Sequence, residues 1–278
     1  MDQAVGRMAA RPVWSDRLRI GIAVLLGIGA WGLATLGSAV TGADDGGIHR
    51  VHDTGFGAYA ALFLAGGFLA QVRRPERQVA AFQTVAAALV ATVVAMVLAG
   101  GIDPSVLGFV VVLAALWWVH PARERLLALG RAPSVPLLAL VVLAGIPLVL
   151  YGIGQAGIER VTVAADPHSE HWLNMASLAL SIPLVGLVGA LRPAGWRYAG
   201  LAAAAAGVLL GVAWIVLPEL PSSLGLAWGA VAVVGGLVAA ALTLRTPDPH
   251  DAGVAGAARR SKGRHTAAAR AAAGGVTR

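Results

Sequence analysis

HSEHWLNMASLALSIPLVGLVGAL, residues 168–191, sets a His-x-x-His pair directly before a run free of Asp, Glu, Lys and Arg. A helix needs about 20 apolar residues to cross a hydrocarbon core, and residues 172–191 have that length. The same arrangement stands earlier in the chain, where His49-Arg50-Val51-His52 precedes the uncharged run 55–72. From His49 to His168 the offset is 119 residues. Arg74-Pro75 recurs as Arg192-Pro193, and Pro104-Ser105-Val106-Leu107-Gly108 as Pro221-Ser222-Ser223-Leu224-Gly225, at nearly that offset. One unit read twice accounts for all three matches.

Composition agrees with a membrane class. The chain of 278 residues is 58% hydrophobic and only 13% charged, with mean hydropathy +0.75, well outside the range of soluble domains. Eight uncharged runs fall at 20–40, 55–72, 79–100, 105–119, 135–153, 172–191, 198–217 and 224–244, the fourth being the shortest. Only helices and closed barrels satisfy their backbone within lipid, and these runs are too long for barrel strands. The expected fold is therefore all-α, an integral membrane protein of eight transmembrane helices in two four-helix repeats. Four spans per unit is an even number, so the repeats insert in parallel. The first run is expected to be a retained span rather than a cleaved signal, since its loss would unbalance the two halves.

The expected organisation is a basic N-terminus over 1–19, a first repeat over 20–120, a linker over 121–134, a second repeat over 135–245 and a tail over 246–278. Of the 21 Lys and Arg, only Arg50 and Arg160 fall in the segments opposite the N-terminus. Those segments hold Asp44, Asp45, Asp53, Asp103, Glu159, Asp166, Glu170 and Glu219. The positive-inside bias makes both termini cytoplasmic in a cell (inner) membrane and leaves the outer face acidic. The net charge of +7 is thus a topology signal rather than a nucleic-acid patch. The tail, rich in Ala, Gly and Arg, lacks the apolar residues to fold alone. Its cluster Arg259-Arg260-Ser261-Lys262-Gly263-Arg264 suits either anionic lipid headgroups or plain solvent.

The chain has no cysteine, so a metal site has to use His, carboxylate or Met. Residues three apart share a helix face, which pairs His49 with His52 and His168 with His171 at matched outer helix starts. Four imidazoles converging between the halves would suit a divalent transition metal, with Asp53 and Glu170 as outer partners. Against this, histidine rings also sit comfortably at a headgroup interface. Below the second pair, His171, Asn174, Ser177 and Ser181 draw a polar stripe that lines a path or bonds a neighbouring helix. No Asp, Glu, Lys, Arg or His lies in the middle of a span, unlike most proton relays and ion-coupled carriers. Pro147 and Pro183 fall inside spans and are expected to kink them. Gly207-x-x-x-Gly211 and Gly225-x-x-x-Gly229 offer close helix contacts. Gly152-Ile153-Gly154-Gln155-Ala156-Gly157 has the dinucleotide spacing but no preceding strand, so it carries no nucleotide reading. His120, beside Trp117 and Trp118, reads as part of an interfacial aromatic belt.

Heavy use of Ala, Gly, Val and Arg, with a single lysine, Lys262, and a single asparagine, Asn174, resembles the polytopic membrane proteins of high-GC actinobacterial genomes. The haem A synthase families are similar in joining two four-helix units, and they imply histidines on all four helices around the cofactor. Here the fourth span ends in His120 and the eighth has no histidine, so a divalent metal is preferred to haem. No catalytic triad, carboxylate pair or phosphate loop has a supporting context, and the expectation is a non-enzymatic protein whose partner is the bilayer. The alternatives are a transporter of a small, weakly charged solute and a ligand-free membrane scaffold.

Overall fold

The computed structural model describes residues 49–71, 75–102, 104–120, 122–130, 132–162 and 170–249, together with Gly21, Gly29, Gly32 and Gly37. The remainder of the first expected span, His168 and nearly all of the tail lie outside these residues. Among the described residues every regular element is helical and there is no strand.

The first helix described end to end is segmented: α1 (Arg50–Ala58), a π-helical turn (Tyr59–Ala65) and α2 (Gly66–Leu69). There follow α3 (Val79–Ala99), α4 (Ser105–Val119), α5 (Val135–Thr162), α6 (Glu170–Leu191), α7 (Trp196–Val216) and α8 (Gly225–Arg245). Five of these, α3 and α5 to α8, are long and apolar enough to cross a membrane, and α4 is a shorter apolar helix. The chain divides into a compact unit, Met1–Thr243, and a second, Leu244–Arg278.

Helix α6 is the hub, packing on α1, α3, α5 and α7. Its apolar window is 61% buried, against 11% for α8. The outer helices turn apolar side chains outward: Leu143, Leu150 and Ile153 of α5 and Val231, Val234 and Leu237 of α8 are all exposed. Meanwhile Tyr151, Gln155 and Glu159, one turn apart on α5, are buried. A helix with its polar stripe inward and its apolar face outward is built for lipid, where an unpaired polar group is costly.

Small residues set the α7–α8 contact. A Cβ at Gly229 would lie 2.7 Å from the Gly211 carbonyl, and one at Gly236 would lie 2.7 Å from the Ala204 carbonyl. Gly229, Gly236 and Thr243 recur every seven residues and are the buried positions of α8, forming one seam along which the backbones close up. Of the two small-residue motifs, Gly211 and Gly229 make the contact, whereas a Cβ at Gly225 would meet nothing. Helices α5 and α6 run on through Pro147 and Pro183 as single elements.

The second expected span departs from regular α-helix at its π-helical turn, where the Tyr198 hydroxyl donates to the Leu62 carbonyl. A wider turn is accommodated when a neighbour supplies such a bond. Helix α5 extends nine residues past its expected end at Ile153, to Thr162, and this extension brings Gln155 and Glu159 into register with Tyr151.

Candidate metal centre

His49 caps α1, and its carbonyl accepts the Asp53 N–H at 2.9 Å. One turn on, His52 is 3% exposed. His171 is the second residue of α6. The packing of α1 on α6 brings the three together: one ring nitrogen from each of His49, His52 and His171 lies within 4.8 Å of the others. The His49 and His171 ring centroids are 4.1 Å apart. His52 and His171 stack at 5.2 Å with an 11° interplanar angle, and Trp172 meets His52 edge-on at 5.0 Å.

Three of the four sequence-derived histidines therefore converge. His168 lies outside the described residues, and of Glu170 only the backbone, at the start of α6, is described. Asp53 is buried in the first turn of α1.

Nε2 of His52 leads to residues that sequence reasoning missed. His52 Nε2 is 2.8 Å from Ser222 Oγ, and the Ser222 hydroxyl donates to Gln155 Oε1. The Ser222 carbonyl accepts the Tyr151 hydroxyl at 2.6 Å and Trp214 Nε1–H at 3.0 Å. Glu159, one turn beyond Gln155, accepts the Leu173 N–H at 3.1 Å, placing a buried carboxylate at the start of α6. It offsets the positive helix end that would otherwise repel a cation. The signal for these residues was the spacing of Tyr151, Gln155 and Glu159 at i, i+4 and i+8 in an apolar segment.

Burial, together with the neighbouring His171 and His49, lowers the His52 pKa to about 3. The ring is neutral near pH 7, the state in which imidazole coordinates. A ligand distance of about 2.0–2.1 Å in tetrahedral geometry puts nitrogens roughly 3.4 Å apart, so the cluster can close on a metal by modest ring rotation. Imidazole nitrogens with buried carboxylates nearby fit Zn, Cu or Ni in the divalent state.

Two other sequence features take different forms from those expected. His120 is buried beside Phe82, with ring centroids 6.1 Å apart, rather than sharing the interface with the exposed Trp117 and Trp118. The stripe below His171 is packed inward: Ser177 and Ser181 are buried, and Ser181 donates to the Ser177 carbonyl of its own helix at 2.6 Å. An apolar groove between α5 and α8, floored by α6 and α7, includes neither serine in its lining. The glycine-rich 152–157 segment is helix interior, without the strand–turn setting that a dinucleotide needs.

Five helices are long and apolar enough for a membrane-embedded protein; no protein-family model, curated protein or solved structure matches the chain.

Proposed function

We propose that the chain is a multi-pass protein of the cell membrane, eight spans in two parallel four-helix repeats, that holds a divalent transition metal at its outer mouth. His49, His52 and His171 are the ligands, and His168, three residues before His171, is the proposed fourth. Asp53 and Glu159 supply negative charge beside them, and Glu170 joins as an outer partner. Both termini are cytoplasmic, and the basic tail rests against anionic headgroups. The role of such a site is sensing, handling or structural clamping of the metal.

The observation that carries this reading is the convergence of three imidazoles from segments 119 residues apart in sequence, one of them buried and neutral. The repeat has support of its own. A Cβ at Gly32 would meet Ala60 at 2.6 Å and one at Gly152 would meet Leu180 at 3.0 Å, each glycine 28 residues ahead of its contact. The inward Ser177 and Ser181, the latter bonded to its own helix, favour this reading over solute transport.

The test is metal analysis of protein purified in detergent after Zn²⁺ loading and desalting. About one equivalent is expected in the parent and little in His52→Ala or His171→Ala. Equal metal in all three sinks the proposal.

A further inference from the structure

The Ser222 hydroxyl has one proton, and Gln155 Oε1, which can only accept, takes it. The oxygen of Ser222 is therefore an acceptor toward His52, and Nε2 of His52, 2.8 Å away, must be the protonated nitrogen. That leaves Nδ1 as the lone pair, and Nδ1 is buried with no hydrogen-bond partner. A buried acceptor without a partner is costly unless something uses it. Here it belongs to a ring packed against two further imidazoles.

Ser222 itself is held in an uncommon conformation. It lies between α7 and α8 with φ 65°, a left-handed geometry that disfavours residues with a side chain. The two donors on its carbonyl, Tyr151 and Trp214, hold it there. Tyr151 and Gln155 stand one turn apart on α5, so one helix binds both the carbonyl and the hydroxyl. Four polar contacts thus converge on one loop residue whose hydroxyl reaches His52.

We infer that Ser222 is the positioning residue of the metal centre: with Gln155 behind it, it holds His52 in the Nε2–H form and so makes Nδ1 the ligand atom. This rests on the metal reading above. Metal-bound histidines characteristically donate their other N–H to a fixed acceptor, and losing that acceptor costs 10–100-fold in affinity.

Two variants separate the hydroxyl from the backbone. Ser222→Gly keeps the carbonyl and suits the positive φ, removing the hydroxymethyl group. Gln155→Leu preserves volume and leaves Ser222 free to donate to Nε2, which permits the opposite tautomer. Full-length protein labelled with ¹⁵N-histidine in detergent micelles reports the His52 tautomer without added metal, and Zn²⁺ titration reports affinity. The parent is expected to show Nε2–H alone, and both variants a mixture of tautomers with Zn²⁺ bound 10–100-fold more weakly. If Ser222→Gly does not fold, Gln155→Leu alone decides. A parent that binds no Zn²⁺ overturns the metal reading. A parent that binds Zn²⁺ while the folded variants keep its tautomer and affinity overturns the role of Ser222 and leaves the metal reading standing.

Discussion

His52 and His120 are both 3% exposed, and each has one ring nitrogen engaged and the other buried without a partner. Burial lowers both, His52 to about 3 and His120 to about 4, the latter against the opposing pull of Glu76. Their chemistry is nevertheless opposite. His120 Nδ1 accepts the Ala122 N–H at 3.0 Å, so the proton sits on Nε2 and the unpartnered atom is a donor. In His52 the engaged nitrogen is the donor and the unpartnered atom is a lone pair. Only a lone pair can bind a metal, and only His52 has two other imidazoles beside it. Burial and a depressed pKa do not by themselves make a ligand; the hydrogen bond on the far nitrogen and the company of the ring decide it.

His120→Ala should retain about one equivalent of metal, whereas His52→Ala should retain almost none, read by elemental analysis of the desalted protein. Loss of metal in both would show that the contrast between the two rings has no functional content.

Acid separates the same rings by stability. A folded pKa below the ordinary 6.5 means that the unfolded chain takes up a proton first, so stability is lost as pH falls below about 6.5. The loss ends near pH 4 for His120 and near pH 3 for His52. Within its window each ring contributes a slope of at most about 1.4 kcal/mol per pH unit. Thermal unfolding of metal-free protein in detergent should therefore show a falling midpoint from pH 6.5 to 4, shallower in either His→Asn variant. An unchanged slope in both variants would mean that the rings are not buried in the folded protein.

Away from both histidines, Gly229→Leu should cost about 1–3 kcal/mol by forcing α7 and α8 apart. Its side chain would meet the Gly211 carbonyl and Ile215. Because α8 follows the Ser222 loop, a drop in Zn²⁺ affinity is expected alongside the lower melting temperature. Retained affinity would show that the loop is held by Tyr151 and Trp214 alone.

Ser181→Ala should have the smallest effect, within about 0.5 kcal/mol and without change in metal content. Its hydroxyl serves only the carbonyl one turn back. A large change in Zn²⁺ binding would extend the centre down α6 and reopen the case for a path.

Legibility followed the range of the interaction. Long apolar runs are a local property, and residues 79–100, 172–191 and 198–217 read as helices because nothing else can hold such segments in lipid. The second run read the same way, yet contains a π-helical turn, since Tyr198 lies far along the chain from the Leu62 carbonyl it bonds. The continuation of α5 to Thr162 was hidden too, because glycine at 152, 154 and 157 signals a loop when burial against a neighbour is left out. His49, His52 and His171 stood out as candidates through their spacing, whereas Gln155 and Ser222 did not: neither is distinctive until the other is beside it.

By itself, then, the sequence determined an apolar helical protein suited to a membrane, with histidines at the starts of two helices. Composition and spacing suffice for that, because transfer to lipid depends on the sum over a segment rather than on its neighbours. Only the tertiary structure decided that three imidazoles bring ring nitrogens within 4.8 Å of one another and that Nε2 of one of them meets Ser222. A tautomer is set by hydrogen-bond partners, and those of His52 come from α5 and the α7–α8 loop, 103 and 170 residues away in the chain.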